Sequence, residues 1–513
     1  LLVAVMIAVA AVSWPASRPV VPDAEPGDRP YRWNRDSLWT ALESGFAARR
    51  SEGCADQRLT SDAAQAIDGT LARLRATPMQ ADDPALDSLE GAFFALAPRV
   101  ATCGDQAGDY VALQGRLREA IKSQSTRWDL TDRAVRDRLY QSLYGSRAAV
   151  EEVMLQQDSV NPLYVGEEVP SQTPSAVSNG VRLHSGDILV SRGGYPTSAL
   201  IARGSDFPGN FSHIAFVHVD SATGAIAVVE AHIERGVAIA TADEYLSDKK
   251  RRVMLLRLRP DVPALQRDPM LPHRAATSML ARARREHIPY DFTMDYQDAS
   301  RLFCSEVASA AYRDHGITLW TGISTISSPG LRRWLASFGV RHFETQEPSD
   351  LEYDPQLSVV AEWRDATSLM DDHIDNAVTD AMLEGAERGD ALSYDWYSLP
   401  VARVLKGYSV VREWFGGSGP IPQGMAPSSA LHNRSYNARH AAIGARVRAA
   451  AAEWTARQGY RPPYWVLVQL AREAMGRDER SADQRALRAT RAASAPHTST
   501  SRTPSPTPSP QRA

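Results

Sequence analysis

Along residues 36–158 apolar positions recur at intervals of three and four. The stretches "AAQAIDGTLARLRA" and "AGDYVALQGRLREAIKSQ" set a stripe of Ala, Ile, Leu and Val against polar residues, which predicts amphipathic helices. Near Val181 the period shortens. "SGDILVSRGG", "FSHIAFVHVD", "GAIAVVEAHI" and "VMLLRLRP" are short β-rich runs bounded by Gly, Asp, Ser and Pro, which predicts strands. Helical spacing returns in "PHRAATSMLARARREH" and again after Cys304, so residues 175–365 form a mixed helix-and-sheet domain. Two further helical runs, "DDHIDNAVTDAMLEGAERG" and "NARHAAIGARVRAAAAEWTARQ", lie within residues 366–480, with the loop "GGSGPIPQGMAPSS" between them. The expected organisation is an α+β domain, an antiparallel sheet with packed helices, flanked on both sides by helical regions.

The two ends have a different composition. "LLVAVMIAVAAVSWPAS" is uncharged and apolar, and the Pro-rich, charged "SRPVVPDAEPGDRPYR" that follows is a linker. Residues 1–35 are thus expected to be a signal peptide or a membrane anchor plus linker, which directs the chain to export; a buried N-terminal strand or helix is the alternative. Residues 481–513, Ser/Thr/Pro-rich from Ser494, cannot bury enough apolar surface to fold and are expected to be disordered. Between the ends, a hydrophobic share of 43% and a charged share of 23% are those of a globular protein. The net charge of −4 supplies no global basic field, which argues against nucleic acid as the main partner.

The chain has 3 cysteines. They form no Cys-x-x-Cys pattern, so neither a structural zinc site nor a cofactor is implied. Cys54 and Cys103 fall near predicted helix ends and read either as a disulfide or as two unpaired thiols. Cys304 is the only cysteine of the mixed domain. It opens a marked helix, "CSEVASAAYRD", with Gly316 as the stop. Such a cysteine reads as a buried apolar thiol or as a nucleophile whose thiolate the helix N-terminus favours.

A nucleophilic cysteine needs an imidazole, and the imidazole an orienting group. His213 begins one predicted strand. Glu230 and His232 share a face of the next, across the turn "SATG". In a hairpin Glu230 stands opposite or diagonal to His213, as an orienting carboxylate or as a solvated cross-strand pair. His218 and His232 have weaker claims, as surface or packing residues. Tyr290, Asp291 and Asp295 lie just upstream of Cys304, in reach of a substrate or in an ordinary turn.

In their order, "HSGDILVSRGG", "FSHIAFVHVD", "VVEAHIERGV" and "PYDFTMDYQDASRLFCSEVASAAY" resemble the permuted papain-like cysteine hydrolases of the YaeF/YiiX type, relatives of NlpC-type cell-wall amidases and lecithin:retinol acyltransferases. The histidine precedes the cysteine, as in the permuted form, and the resemblance runs from Leu183 to about Asp365. It implies Cys304 as nucleophile, His213 as general base and Glu230 as orienting residue. It also implies substrate-binding roles for Tyr290, Asp291 and Asp187, the last as part of the Gly186-Asp187 element that opens the first strand. Phe303 departs from the pattern, where relatives often carry Tyr. The expected activity is a cysteine amidase or peptidase of the bacterial cell envelope, periplasmic or anchored to the inner membrane. Its substrate would be a peptide or cell-wall fragment such as a peptidoglycan stem. A lipid acyltransferase or thioesterase acting on an acyl-lipid, and a recognition module without catalysis, are the alternatives. Membrane association is expected through the N-terminal segment.

Overall fold

The computed structural model describes residues 19–31, 37–54, 57–104, 106–157, 160–322 and 324–477. The expected signal or anchor and the expected Ser/Thr/Pro tail lie outside the described residues. The helical region expected over 36–158 contains α1 (Ser37–Glu52), α2 (Gln57–Ala76), α3 (Pro84–Cys103), α4 (Ala107–Ser125) and α5 (Arg133–Leu155). Asp83 and Asp132 cap α3 and α5, each accepting a backbone N–H through its carboxylate. Cys54 and Cys103 are joined in a disulfide, with their Cα atoms 5.0 Å apart, tying the end of α1 to the end of α3.

The mixed domain follows. Strands β1 (Leu163–Val165), β2 (Ser175–Ser178), β3 (Val181–His184) and β4 (Ile188–Gly193) lead into α6 (Pro196–Arg203). Next come β5 (His213–Val219), β6 (Ile226–His232), β7 (Gly236–Thr241), α7 (Ala242–Ser247), β8 (Lys250–Leu258), α8 (Pro263–Arg267), α9 (Leu271–Arg285) and α10 (Glu306–Arg313). The domain closes with β9 (Ser324–Thr325), α11 (Pro329–Phe338), β10 (Glu344–Thr345), α12 (Asp350–Tyr353) and β11 (Leu357–Trp363). Beyond it lie α13 (Ala366–Glu387), α14 (Ser398–Trp414), α15 (Pro427–Gln458) and a final helical stretch over 464–477.

Seven strands form one antiparallel sheet in the order β1-β11-β8-β4-β5-β6-β7. This is the expected α+β arrangement. The edge strand β1 pairs with β11, Leu163 opposite Trp363, so the sheet starts upstream of residue 175. Central strands are apolar on both faces, because both faces are covered. One face, with Ile188, Val190, Ile214 and Phe216, joins the core shared with the helices. The other, with Leu189, Ala215, Val217 and Leu255, packs a smaller core with residues of the β2–β3 hairpin and Tyr245. Gly186 turns the chain into β4 with φ +98°, and a Cβ there would lie 2.3 Å from that of Pro272. Only glycine meets both conditions.

The flanking helices are welded to the sheet by buried charge. Arg147 of α5 donates to Glu352 of α12 (2.7 Å) and pairs with Glu362 of β11. Arg252 of β8 donates to Asp372 of α13 (2.9 Å) and pairs with Glu151 of α5. His373 (3.0 Å) and Arg364 (3.3 Å) also reach Glu151. Burial alone would raise the Glu151 carboxyl; Arg252, His373 and Arg147 outweigh it and hold it well below the usual carboxylate range. The stability it contributes is therefore present above the unfolded carboxylate pKa and is lost as pH falls towards the depressed one. Glu151→Ala unpairs buried His373 and leaves Arg147, Arg252 and Arg364 with one buried carboxylate fewer, and should destabilise the fold by roughly 3–5 kcal/mol at neutral pH, as read by urea unfolding. An unchanged midpoint would mean that water replaces the carboxylate there.

Candidate active site

Cys304 is reached through a tight turn. Asp291 accepts from Thr293 N (2.9 Å), Thr293 Oγ1 (2.7 Å) and Asp295 N (2.7 Å), and Leu302 N donates to Pro289 O (3.1 Å). Glu306 Oε2 accepts from Phe303 N at 3.1 Å, closing the turn around the cysteine. The α-helix begins at Glu306 with Ser305 as its cap, so Cys304 stands one residue before the cap rather than within the first turn. Its sulfur is buried and lies 3.8 Å from Ser212 O, the carbonyl just before His213.

The cysteine is thus held against the first residues of β5. Neutral Sγ–H donates to the Ser212 carbonyl, and among the described residues no hydrogen bond joins the sulfur to the His213 ring. The helix start was expected to favour the thiolate. Burial instead pushes the thiol up to about 12; the Ser305 hydroxyl and the Ser305 and Ile214 amides oppose this only in part, and the nearby Glu347 carboxylate adds to it. A desolvated anion with few compensating donors is the stronger effect.

His213 and its partner come from the hairpin. Ala215 is opposite Glu230 in the β5–β6 ladder. Continued two residues outward, this register sets His213 level with His232 and diagonal to Glu230, all on one face. Glu230 Oε2 lies 2.7 Å from His213 Nε2, and its Oε1 lies 3.0 Å from His232 Nε2. Burial would raise the Glu230 carboxyl, but the hydrogen bonds from the two histidines outweigh it and hold it well below the usual range. An ionised carboxylate only accepts, so both Nε2 atoms carry protons. That tautomer leaves His213 Nδ1 with a free lone pair, the arrangement a general base requires.

Cys304, His213, Glu230, His232 and Tyr290 line one open cleft of about 910 Å³. Tyr290 packs edge-on against Phe292 at 5.0 Å. Burial, with a smaller contribution from Cys304, holds its phenol well above the usual value, so it remains a hydrogen-bond donor. Tyr245 at the same cleft donates to Ser191 Oγ (3.0 Å). The other wall comes from outside the mixed domain: Pro420, Pro422 and Met425 of the loop before α15, and Asn433, Arg434 and Asn437 of α15 itself. Arg235 and Arg434 line the cleft and have no carboxylate partner among the described residues.

Two of the substrate-binding residues implied by the resemblance do not line this cleft. Asp187 is buried against Arg257, which donates to its two oxygens at 2.7 and 2.8 Å, and it accepts from His184 N at 2.8 Å. Its carboxylate is consumed in fixing the turn into β4. Asp291 is consumed by the turn ahead of Cys304. Asp295 lies 3.8 Å from His342. His232, read from sequence as a surface or packing residue, shares the Glu230 carboxylate. The signal for it was the period-two spacing that also marked Glu230. The wall from residues 420–437 carried no local signal, since it depends on how α15 docks.

Residues 182–361 match the family model described as permuted papain-like amidase enzyme, YaeF/YiiX, C92 family. A crystal structure of the metalloprotein YiiX from Escherichia coli O157:H7 is similar at 17% identity, covering 35% of this chain and 97% of that one, with a TM-score of 0.28. No curated protein matches the chain. Among the described residues no group of three or more His, Cys, Asp or Glu is arranged to hold a metal ion.

Proposed function

We propose that the permuted papain-like amidase domain of this chain is a cysteine hydrolase that cleaves amide bonds through a thiol acyl-enzyme. The observation that carries this reading is one cleft holding both Cys304 and a histidine whose Nε2 is fixed by a carboxylate. His213 Nδ1 takes the proton of Cys304, and the sulfur attacks the amide carbonyl carbon. The C–N bond then breaks, and the imidazolium protonates the departing amine. Water gives a proton to Nδ1 and adds to the thioester, releasing the carboxylic acid and restoring the thiol. Glu230 stabilises the imidazolium in both halves. Tyr290, a neutral phenol on the cleft wall, is the side chain best suited to donate to the carbonyl oxygen as charge develops.

The wall chemistry supports a peptide substrate. Arg235 and Arg434, which have no carboxylate partner among the described residues, can each pair with a carboxylate of a peptide such as a cell-wall stem peptide, in a cleft that also presents Glu234. An acyl-chain substrate calls for a long apolar groove instead. The apolar start of the sequence and the Cys54–Cys103 disulfide both support an exported protein of the bacterial envelope, since disulfides persist in oxidising compartments.

The test is to trap the intermediate. Peptidoglycan fragments and lipid esters are incubated with the protein, quenched in acid and examined by mass spectrometry of the intact chain and its digest. The expected result is an acyl adduct on Cys304 from a peptide donor, absent from Cys304→Ala. Adducts only from lipid esters would replace the peptidase reading with acyl transfer. No adduct and no amine release from either class would favour a recognition module.

A further inference from the structure

The side of α14 that faces away from the protein is apolar. Leu399, Ala402 and Ser409 point inward, Ala402 packing with Ile421 and Met425. On the opposite side Val401 (60% exposed), Val404 (64%), Leu405, Tyr408 and Val411 form a continuous stripe in solvent. Their spacing is that of one helix face. The ends of the stripe are aromatic: Trp396 and Tyr397 precede the helix, while Trp414 (77%) and Phe415 (84%) close it. No other helix among the described residues exposes large apolar side chains in this density, and soluble monomers rarely leave such a patch uncovered.

We propose that this face of α14 seats in the surface of a lipid bilayer, holding the Cys304 cleft at the membrane. Exposed Val and Leu flanked by Trp, Tyr and Phe have the composition of the apolar face of an interfacial helix, whose aromatic side chains sit at headgroup depth. A protein–protein interface gathers its aromatic anchors at the centre instead. Lys406 is committed to the protein side, its Nζ donating to Pro422 O (2.6 Å), so the stripe itself is close to uncharged. The helix lies in the plane of the surface and does not span it; no described helix is long and apolar enough to cross a membrane. Its position fits a substrate held at a membrane surface. The inner face packs in one cluster with Ile233 and Phe292, and the loop that leaves it forms the Pro420–Met425 wall of the cleft. The inference rests on the exposed face alone and stands whether or not Cys304 is a nucleophile.

The full chain carrying Cys304→Ala and Val404→Cys is labelled at residue 404 with an environment-sensitive fluorophore. A second sample carries the label at Ser88, an exposed residue of α3. With vesicles of phosphatidylethanolamine and phosphatidylglycerol, the label at 404 should shift to the blue and be quenched by a lipid-borne quencher, and the label at 88 should not. No vesicle response at 404 overturns the proposal. So does a blue shift without vesicles that grows with protein concentration, which would make the occupant a second copy, or one that persists at all dilutions, which would make it a segment of this chain. Val401→Glu with Val404→Glu should lower vesicle partitioning by about tenfold or more with an unchanged thermal midpoint. Full partitioning in that variant would assign membrane binding to the apolar start of the sequence and remove it from α14.

Discussion

His213→Ala should lower turnover on the peptide substrate by about 10⁴-fold or more, Cys304→Ala by a similar factor, and the double variant no further. The two side chains act as one unit, so removing either forfeits the whole. The resting thiol sharpens the expectation. With Cys304 pushed up to about 12, only about 10⁻⁵ of it is thiolate at pH 7 unless a base takes the proton. In His213→Ala hydroxide has to do this, so the residual rate should climb by about tenfold per pH unit from pH 7 to pH 10. In the wild type the proton passes to Nδ1 inside the complex, and the profile should be far flatter. The two profiles separate a lost base from a merely loosened cleft, which would lower the rate without steepening it. Cys304→Ala should keep its thermal midpoint nearly unchanged, since thiol to methyl removes little volume. Wild-type turnover in either single variant would overturn the catalytic reading, and a large loss of stability in Cys304→Ala would make the thiol structural.

The parts of the fold visible in the sequence were those written in local periods. The helices of α1–α5 and the strands β4, β5, β6 and β8 follow from spacing alone. The alternation that lays Glu230 and His232 on one face of β6 brought the carboxylate to His213. What depends on distant partners was hidden. Gly186-Asp187 at the start of β4 reads as a motif, but the role of Asp187 is set by Arg257, which donates to its two carboxylate oxygens from another strand. Nothing in the local sequence marks Glu151, Glu362 and Asp372, yet each is buried in the network that joins the helices to the sheet. The environment of the Cys304 thiol depends on distant partners in the same way. A helix start favours a thiolate when the sulfur keeps its solvent, and here the turn closed by Glu306 and the first residues of β5 exclude it.

The carboxylate shared by two histidines gives the second large effect. Glu230→Gln should lower turnover by about 10²–10⁴-fold while the fold persists. As a carboxylate, Glu230 accepts from His213 Nε2 (2.7 Å) and from His232 Nε2 (3.0 Å) together. A carboxamide has one acceptor oxygen and one NH₂ group. If its oxygen faces His213, the ring keeps its tautomer but loses the charge that stabilises the imidazolium. If its NH₂ faces His213, Nε2 has to become the acceptor, the proton moves to Nδ1, and the base is lost. His232 competes with His213 for that single oxygen. Where the protonated Nε2 of His232 takes it, the NH₂ turns towards His213, the damaging orientation. Glu230→Gln combined with His232→Ala should therefore recover part of the activity lost in Glu230→Gln alone, because nothing then competes for the oxygen. His232→Ala by itself should cost far less than either, since Glu230 still accepts from His213. The measurements are kcat for the three variants and the wild type, with proton-detected NMR of the imidazole N–H groups to read the tautomer of His213. Wild-type turnover in Glu230→Gln would mean that the carboxylate plays no part in catalysis. A double variant no better than the single would leave Glu230 its charge but remove His232 from the orientation of the base.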